Sequence, residues 1–342
     1  MPGISRKEVE ELLAVEDETR LAELFRAAGE TKEKVFGKDI SIFAPIYLTN
    51  ECVNNCLYCG FRVDNRELKR KTLSLDEILK EAHVLGQQGH RRVILVSAEN
   101  PRLAGAENIA AIAAAVYDNT ALKTITVNMA PLSAEDFKIL AASKVWAYQS
   151  FQETYSEDQY KKLHSKLKKA DYQWRISTMD RAVSSGIIHF GMGVLFGLYD
   201  YKFEVLSLFD HIVRLNEKFG VYPYNISVPR LRPAIGALLQ TPPYPVSDTD
   251  LKKAVAVLRL AFPAIHIALS TREPPRLRDE MAKIGITQMS AGSKTSPGGY
   301  TASGTDYDRS QFAIDDTRTI DEVIADLRRM GLIPRVDHEA DK

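Results

Sequence analysis

The feature that most constrains the fold of this chain is a repeated alternation of short apolar runs and amphipathic segments. Eight runs, rich in β-branched and aromatic residues, are each followed by a segment in which apolar residues recur at helical spacing. The predicted strands cover residues 40–48, 92–97, 124–129, 145–152, 189–197, 224–229, 264–270 and 286–292. Strands that alternate with helices form parallel βαβ units, because a parallel connection has to cross back over the sheet.

Eight such units in a chain of 342 residues match the size of a closed barrel. The predicted fold class is therefore α/β, a full (β/α)8 TIM-type barrel with an N-terminal helical extension. A doubly wound open sheet is the structural alternative, and the count of eight favours the barrel. We divide the chain into a helical extension (1–38), a barrel (39–335) and a tail (336–342).

Local signals place several helix boundaries. Ser5 with Glu8 and Ser74 with Glu77 have the spacing of capping boxes, in which each side chain caps the other residue's backbone N–H. The stretch 172–186 predicts one helix that ends at Gly186.

Composition bears on the setting in which the protein works. Lys plus Arg equals Asp plus Glu at 45 each, so the basic surface typical of nucleic-acid binding is not expected. No apolar run approaches the roughly 18 residues of a membrane helix. The N-terminal stretch MPGISRKEVEELL is charged and lacks a signal-peptide core. We expect a cytoplasmic protein that binds neither nucleic acid nor membrane.

All three cysteines lie in one stretch, TNECVNNCLYCGFR (49–62), as Cys52, Cys56 and Cys59. An odd number of clustered cysteines is not typical of a disulfide framework. Thiolate clusters bind soft metals and iron–sulfur centres, whereas structural zinc needs four ligands that usually come in two separated pairs. A [4Fe–4S] cluster has four irons, so three cysteines leave one iron open for chemistry.

Polar residues follow each predicted strand, where a barrel of this kind carries its active site. After the first strand comes the cysteine loop, and the later strands are followed by SAEN (97–100), Asn128, QET (152–154), FGLYD (196–200), PRLRP (229–233), STRE (270–273) and SAGSKTSPGGY (290–300). We expect these segments to meet at one mouth of the barrel.

The spacing C-x3-C-x2-C after the first strand of a predicted barrel resembles the radical S-adenosylmethionine (SAM) superfamily. Further segments are similar, in order, to its aromatic amino-acid (tyrosine) lyase branch: FQETY, WRISTMDRA, VLFGLYD, ISVPRLRPA, LSTRE and SAGSKTSPGGY. That branch includes the tyrosine lyase of thiamine biosynthesis and the tyrosine lyase that matures [FeFe]-hydrogenase. The similarity runs from about residue 40 to about residue 330.

The resemblance implies a [4Fe–4S] cluster on the three cysteines and SAM bound to the open iron. Reductive cleavage of SAM then gives methionine and a 5′-deoxyadenosyl radical, which abstracts hydrogen from the substrate. The implied reaction is cleavage of the Cα–Cβ bond of L-tyrosine to p-cresol and 2-iminoacetate (dehydroglycine). An alternative is a different amino acid, such as tryptophan, and an alternative of another class is a non-catalytic iron–sulfur or zinc protein.

The resemblance also implies residue roles. SAM-contacting residues are expected at six positions: Tyr58, Ser97, Glu99, Glu153, Arg175 and Arg181. Among them Glu153 is expected to pair with Arg181, Arg175 is a weaker member, and Ala98 stands where the family usually has glycine. Arg272 at a strand end is expected to clamp the substrate carboxylate, because arginine binds carboxylates in a bidentate fork. Ser270 and Ser290 add hydroxyl groups to this catalytic set.

Two departures from the branch narrow the prediction. No cysteine follows Cys59, so we expect no second cysteine-ligated cluster of the hydrogenase-maturase kind in this chain, and sulfur insertion is disfavoured. At the start of the sixth predicted strand, Tyr224 or Asn225 stands where the resemblance to hydrogenase-type enzymes implies a histidine. The expected partners are an amino-acid substrate, a flavodoxin- or ferredoxin-type electron donor and a downstream biosynthetic protein.

Overall fold

The computed structural model describes residues 2–164, 167–302 and 309–336. Over these residues all eight predicted strands are present, together with a short ninth strand that the sequence pattern did not predict. The strands are Asp39–Thr49 (β1), Arg92–Ser97 (β2), Thr124–Asn128 (β3), Ala147–Gln149 (β4), Phe190–Gly193 (β5), Asn225–Ser227 (β6), His266–Leu269 (β7), Gln288–Ser290 (β8) and Ile333–Arg335 (β9).

Twelve α-helices accompany the strands within the same described ranges, and the turn Lys168–Ala170 is a short 3₁₀ helix. The α-helices are Arg6–Leu13 (α1), Glu18–Phe36 (α2), Leu75–Gln87 (α3), Ala106–Asn119 (α4), Ala134–Ala141 (α5), Glu157–Leu163 (α6), Tyr172–Ile176 (α7), Thr178–Ser184 (α8), Tyr201–Phe219 (α9), Asp248–Ala261 (α10), Pro275–Ile284 (α11) and Ile320–Arg329 (α12). Both predicted capping boxes form, at the starts of α1 and α3.

The stretch 172–186 forms two helices, where the sequence predicted one. Ser177 separates α7 from α8, and its hydroxyl donates to the carbonyl of Gln173 at 2.5 Å. Thr178 donates in the same way to the carbonyl of Arg175 at 2.6 Å. Hydroxyl side chains that bond to backbone carbonyls compete with the helical ladder, which accounts for the break.

The eight main strands close into a parallel barrel. β1 pairs with β2 (Ile46 beside Leu95) and also with β8 (Ile42 beside Met289), so the sheet has no open edge between its first and last members. This closure confirms the (β/α)8 prediction and rules out the open doubly wound sheet. β9 pairs with the beginning of β1, outside the ring of eight.

Alternation along the strands divides the barrel wall into two faces. On β1, Ile42, Ala44 and Ile46 are fully buried in the main hydrophobic core. Phe43 and Tyr47, which alternate with them, face a central cavity. The two-residue period of a strand thus builds the core with one set of side chains and presents the other set to the cavity.

The helical extension packs on the outside of the barrel, where α1 contacts α9 and α2 contacts α10. Leu13 and Leu24 are buried in these contacts. The division into extension (1–38), barrel (39–335) and tail (336–342) stays a prediction, and residues 337–342 lie outside the described ranges. Within the part of the chain that the structure describes, no helix is both long and apolar enough to span a bilayer.

Candidate active site

The loops at the carboxyl ends of the strands surround one cavity. All but one of the predicted site residues line it: Cys52, Cys56, Tyr58, Cys59, Ser97, Glu99, Glu153, Arg175, Ser270, Arg272 and Ser290. They come from the carboxyl ends of five strands, β1, β2, β4, β7 and β8, and from the connections that follow them, so only the closed barrel brings them together.

The cysteine loop is held in place by backbone hydrogen bonds to neighbouring loops. Val53 donates its N–H to the carbonyl of Glu99 at 3.0 Å, and Leu57 donates to the carbonyl of Leu163 at 3.2 Å. The side-chain amide of Asn54 donates to the Glu99 carboxylate at 2.6 Å. The loop is therefore fixed directly to the loop after β2, and its three thiols are not joined in disulfides.

The thiols have an environment that fits an iron–sulfur cluster. Burial raises the pKa of all three, and that of Cys59 reaches about 11, so each would stay protonated unless a metal replaced its proton. The Asn54 backbone N–H lies 3.4 Å from Cys52 Sγ, and the Gln311 amide lies 3.8 Å from Cys59 Sγ. Such N–H donors stabilise thiolates and tune clusters.

A single-ion site fits this set of ligands less well. Among the described residues, no three His, Cys, Asp or Glu side chains converge as a mononuclear metal site requires. Thiols that bind three different irons of one cluster do not have to converge on one point. This geometry favours the cluster over zinc.

A buried group of four charges lies beside the cysteine loop. Glu153 Oε1 lies 3.1 Å from Lys169 Nζ and 3.5 Å from Arg175 Nη2, and Glu99 Oε1 lies 3.2 Å from Arg175 Nη1. Burial acts to raise the pKa of Glu153, but the two cations outweigh it and the pKa is lowered. The group therefore places two carboxylates and two cations at the cavity wall.

Lys169 lines the cavity but was not among the predicted site residues. This residue lies in the 3₁₀ turn Lys168–Ala170, away from any strand end, and no pattern in the sequence indicates that it reaches the cavity. It is the one described lysine that lines the cavity.

Glu153 has a strained backbone, with φ at 71°, in the left-handed region that residues other than glycine rarely adopt. Neighbouring backbone fixes this conformation, since Leu195 donates its N–H to the carbonyl of Glu153 at 2.8 Å. From α9, Glu204 accepts hydrogen bonds from the Thr154 hydroxyl and the Tyr155 N–H. Strain of this kind costs roughly 1–3 kcal/mol and is concentrated at functional sites.

A hydrogen bond to a histidine fixes the position of Tyr58 at the cavity wall. Its hydroxyl lies 2.8 Å from Nε2 of His164, whose Nδ1 lies 2.8 Å from the carbonyl of Tyr160. A carbonyl only accepts, so Nδ1 carries the proton and Nε2 accepts from the tyrosine. Burial, reinforced by Lys169, lowers the pKa of His164 to about 3, so the imidazole is neutral.

Arg272 presents a cation to the cavity without a carboxylate partner among the described residues. Its guanidinium lies 3.4 Å from the ring centroid of Phe312, and burial lowers its pKa from the usual 12.5. Ser270 Oγ accepts from the Arg272 N–H at 3.4 Å, and Ser290 Oγ accepts from the Thr271 N–H at 3.1 Å. A fixed, stacked guanidinium with free donors suits a ligand carboxylate.

The structure does not bring Arg181 to the cavity, and it does not pair Arg181 with Glu153. The Arg181 guanidinium lies 3.7 Å from the Trp174 ring and donates to the carbonyls of Leu132 and Trp174 at 3.0 and 2.7 Å. These bonds hold the end of α7 in place. Lys169 and Arg175 are the cations beside Glu153 instead.

Of the two residues Tyr224 and Asn225, Asn225 faces the cavity. The Tyr224 hydroxyl instead accepts hydrogen bonds from Arg92 at 2.7 Å and Gln288 at 2.6 Å, and Tyr224 does not line the cavity.

A closed (β/α)8 barrel with three free thiols on its first strand-to-helix loop, next to buried charges, is the arrangement of a radical SAM enzyme. The family model for the radical SAM superfamily matches residues 46–209, and the model for the biotin and thiamin synthesis associated domain matches residues 227–333. The chain is 32% identical to 2-iminoacetate synthase of Escherichia coli (strain K12), over 97% of this chain and 86% of the relative. The chain belongs to the radical SAM superfamily and, within it, to the family of 2-iminoacetate synthase.

Solved structures agree with this assignment. HydG, a maturase of the [FeFe]-hydrogenase, superposes with a TM-score of 0.93 at 41% identity, covering 98% of this chain and 73% of that chain. Methylornithine synthase superposes with a TM-score of 0.78 at 20% identity, over 97% of this chain and 94% of that chain, and supports the fold alone. The protein is thus a radical SAM enzyme, and its cofactors are a [4Fe–4S] cluster and SAM.

Proposed function

We propose that this enzyme cleaves the Cα–Cβ bond of L-tyrosine and releases p-cresol and 2-iminoacetate. The observation that carries the proposal is that one cavity contains both the three thiols and Arg272. Arg272 is a cation that lacks a carboxylate partner among the described residues. The relationship to 2-iminoacetate synthase over almost the whole chain supports it.

Each group of residues has a definite task in this reaction. Cys52, Cys56 and Cys59 would hold the cluster. When bound, the cluster and SAM supply a 5′-deoxyadenosyl radical. Glu153, with its neighbouring charges, suits the ribose hydroxyls and the zwitterionic amino-acid part of SAM, because charge-assisted hydrogen bonds are strong in a buried site.

Arg272 binds and orients the substrate. Its guanidinium forms a bidentate pair with an amino-acid carboxylate, and the Ser270 and Ser290 hydroxyls lie at the same side of the cavity. Stacking on Phe312 limits the motion of the guanidinium, so the carboxylate end of the substrate is fixed before reaction. The barrel wall and its loops exclude water from the reactive carbon.

The proposal includes the setting of the reaction. Because the three cysteines stay reduced on an iron–sulfur site, we place the enzyme in the cytoplasm, without nucleic-acid or membrane partners. A flavodoxin- or ferredoxin-type protein would supply the electron. A downstream enzyme, such as one of thiamine thiazole synthesis, would consume the 2-iminoacetate.

The test is anaerobic incubation of the reconstituted enzyme with SAM, dithionite and L-tyrosine. We expect p-cresol and 5′-deoxyadenosine to form together, and neither to form with a Cys56→Ser variant. Formation of 5′-deoxyadenosine without p-cresol would show that tyrosine is the wrong substrate. A parallel incubation with L-tryptophan tests the alternative amino acid.

A further inference from the structure

Three amide side chains occupy one level of the barrel wall inside the cavity. Strand pairing places Asn128 of β3 beside Gln149 of β4, Gln149 beside Gly191 of β5, and Gly191 beside Asn225 of β6. Asn128, Gln149 and Asn225 all line the cavity. A Cβ atom at Gly191 would lie 2.2 Å from Asn225 Oδ1 and 2.6 Å from Gln149 Cγ. Because glycine has no side chain, the two amides can occupy the space beside it. We call these three amides the amide level.

A chain of side-chain hydrogen bonds holds two of the amides in place. Gln149 Nε2 donates to Asn225 Oδ1 at 3.1 Å, and Asn225 Nδ2 donates to Gln288 Oε1 at 2.9 Å. Gln288 in turn donates to the Tyr224 hydroxyl at 2.6 Å. These partners fix the orientations of the amides before any ligand binds, so less conformational entropy is lost on binding.

Hydrogen-bonding capacity remains on the side that faces the cavity. Among the described residues, Gln149 donates through Nε2 and accepts no hydrogen bond at Oε1, and the Asn128 side chain makes none; both residues line the cavity. Asn225 uses one of its two donors and one of its two acceptor positions. Because these polar atoms border the cavity, a ligand group that both donates and accepts hydrogen bonds has partners available here.

The cavity that contains the amide level also has apolar walls, which suit an aromatic ring. Its apolar lining includes Phe43, Pro45, Ile94, Val96, Met129 and Ala268. Asn225 is level with His266 at the start of β7, whereas Ser270 follows the end of that strand. Four residues of strand span roughly 13 Å, so a substrate held at Arg272 needs a long side chain to reach the amides.

We infer that Asn128, Gln149 and Asn225 select the substrate by binding a hydroxyl group at the far end of its aromatic side chain. The inference rests on the proposed amino-acid lyase function and assigns its specificity to residues that the cleavage chemistry does not use. The three amides are neutral groups that both donate and accept hydrogen bonds.

The test compares L-tyrosine with L-phenylalanine, which differ only in this hydroxyl. Dissociation constants are measured by calorimetry on the anaerobic enzyme with cluster and SAM bound and without reductant, so that no turnover occurs. We expect the wild type to bind tyrosine about 10- to 100-fold more tightly, as expected for one or two hydrogen bonds to buried amides. In Gln149→Met and in Asn128→Leu, the preference falls to within about threefold.

Gln152→Met is the matched control. Gln152 is also a buried glutamine, three residues along the chain, but its amide donates to the Thr154 carbonyl at 3.4 Å and it does not line the cavity. This variant should keep the wild-type preference. Asn128→Leu guards against misfolding, because the Asn128 side chain has no hydrogen bond among the described residues to lose.

The possible results distinguish the inferred role of the amides from the proposed cleavage of L-tyrosine. Equal binding of the two amino acids by the wild type, or an unchanged preference in both cavity variants, would overturn the inference even if p-cresol is formed. A preference that Gln149→Met and Asn128→Leu remove, without any p-cresol from tyrosine, would support the inference and reject the proposed cleavage.

Discussion

At the scale of single residues, Arg175 and Arg181 differ in their location and in their contacts. Arg175 is 7% exposed and contacts two carboxylates inside the cavity, whereas Arg181 contacts a tryptophan ring and backbone carbonyls outside it. Sequence alone does not distinguish them, because both lie in the same motif and have the same side chain. Their contacts predict different consequences of mutation.

Replacing each arginine with methionine tests this difference. Arg175→Met should weaken SAM binding at least about tenfold, because it leaves two buried carboxylates with one cation. Arg181→Met should leave SAM affinity within about twofold and lower the free energy of unfolding by roughly 1–3 kcal/mol, through lost bonds to backbone carbonyls. Equilibrium binding of SAM and urea unfolding measure the two effects, and a reversed pattern would restore Arg181 to the cofactor site.

Arg272→Lys tests the substrate clamp. Lysine keeps the charge but loses the planar fork and the stacking on Phe312. We expect the KM for L-tyrosine to rise about 10- to 100-fold, while SAM cleavage in the absence of substrate stays unchanged. An unchanged KM would exclude a bidentate carboxylate contact at this residue.

At the scale of elements, α9 supports the loop that carries Glu153. Glu204 on α9 is fully buried, and burial raises its pKa from 4.5 to about 7, although hydrogen bonds from Thr154 and Tyr155 oppose the rise. Because the folded-state pKa is higher, the protonated carboxyl stabilises the fold below pH 4.5. This stability is lost as the pH rises through about 7.

Glu204→Gln should remove this pH dependence, since the amide stays neutral and can still bond to Thr154 and Tyr155. Relative to the variant, the wild type should lose roughly 3 kcal/mol of unfolding free energy between pH 4.5 and pH 8. Anaerobic urea unfolding of both proteins at several pH values measures the difference. Parallel curves for the two proteins would show that Glu204 does not titrate in this range.

The helices and strands also show how much of the fold could be predicted from the sequence. The eight barrel strands followed from apolar runs, because a strand buried on both faces leaves a compact apolar signal. The seven-residue α6 and the three-residue β9 were not predicted from the sequence. The break at Ser177 was also missed, because it depends on hydroxyl hydrogen bonds that a helical pattern does not reveal.

At the scale of the whole molecule, the extension stabilises the barrel at a distance from the chemistry. Leu24 on α2 is 5% exposed and belongs to the main core, whereas Val35 on the same helix is 45% exposed. Leu24→Ala should lower the free energy of unfolding by about 2–4 kcal/mol, and Val35→Ala by under about 0.5 kcal/mol. Neither should alter the affinity for SAM. Weaker SAM binding in Leu24→Ala would show that the extension is coupled to the site.

The sequence by itself determined the parallel barrel and the cluster loop. Strand periodicity and cysteine spacing are local properties, and each can be recognised within a few residues. Most of the site residues that it predicted line the cavity, because polar residues at strand ends meet wherever a barrel closes. Only the tertiary structure decided which charges pair, since Lys169 reaches Glu153 across 16 positions of chain while Arg181 turns to Trp174. It alone placed Asn128, Gln149 and Asn225 at one level, because strand register is fixed by packing around the entire barrel.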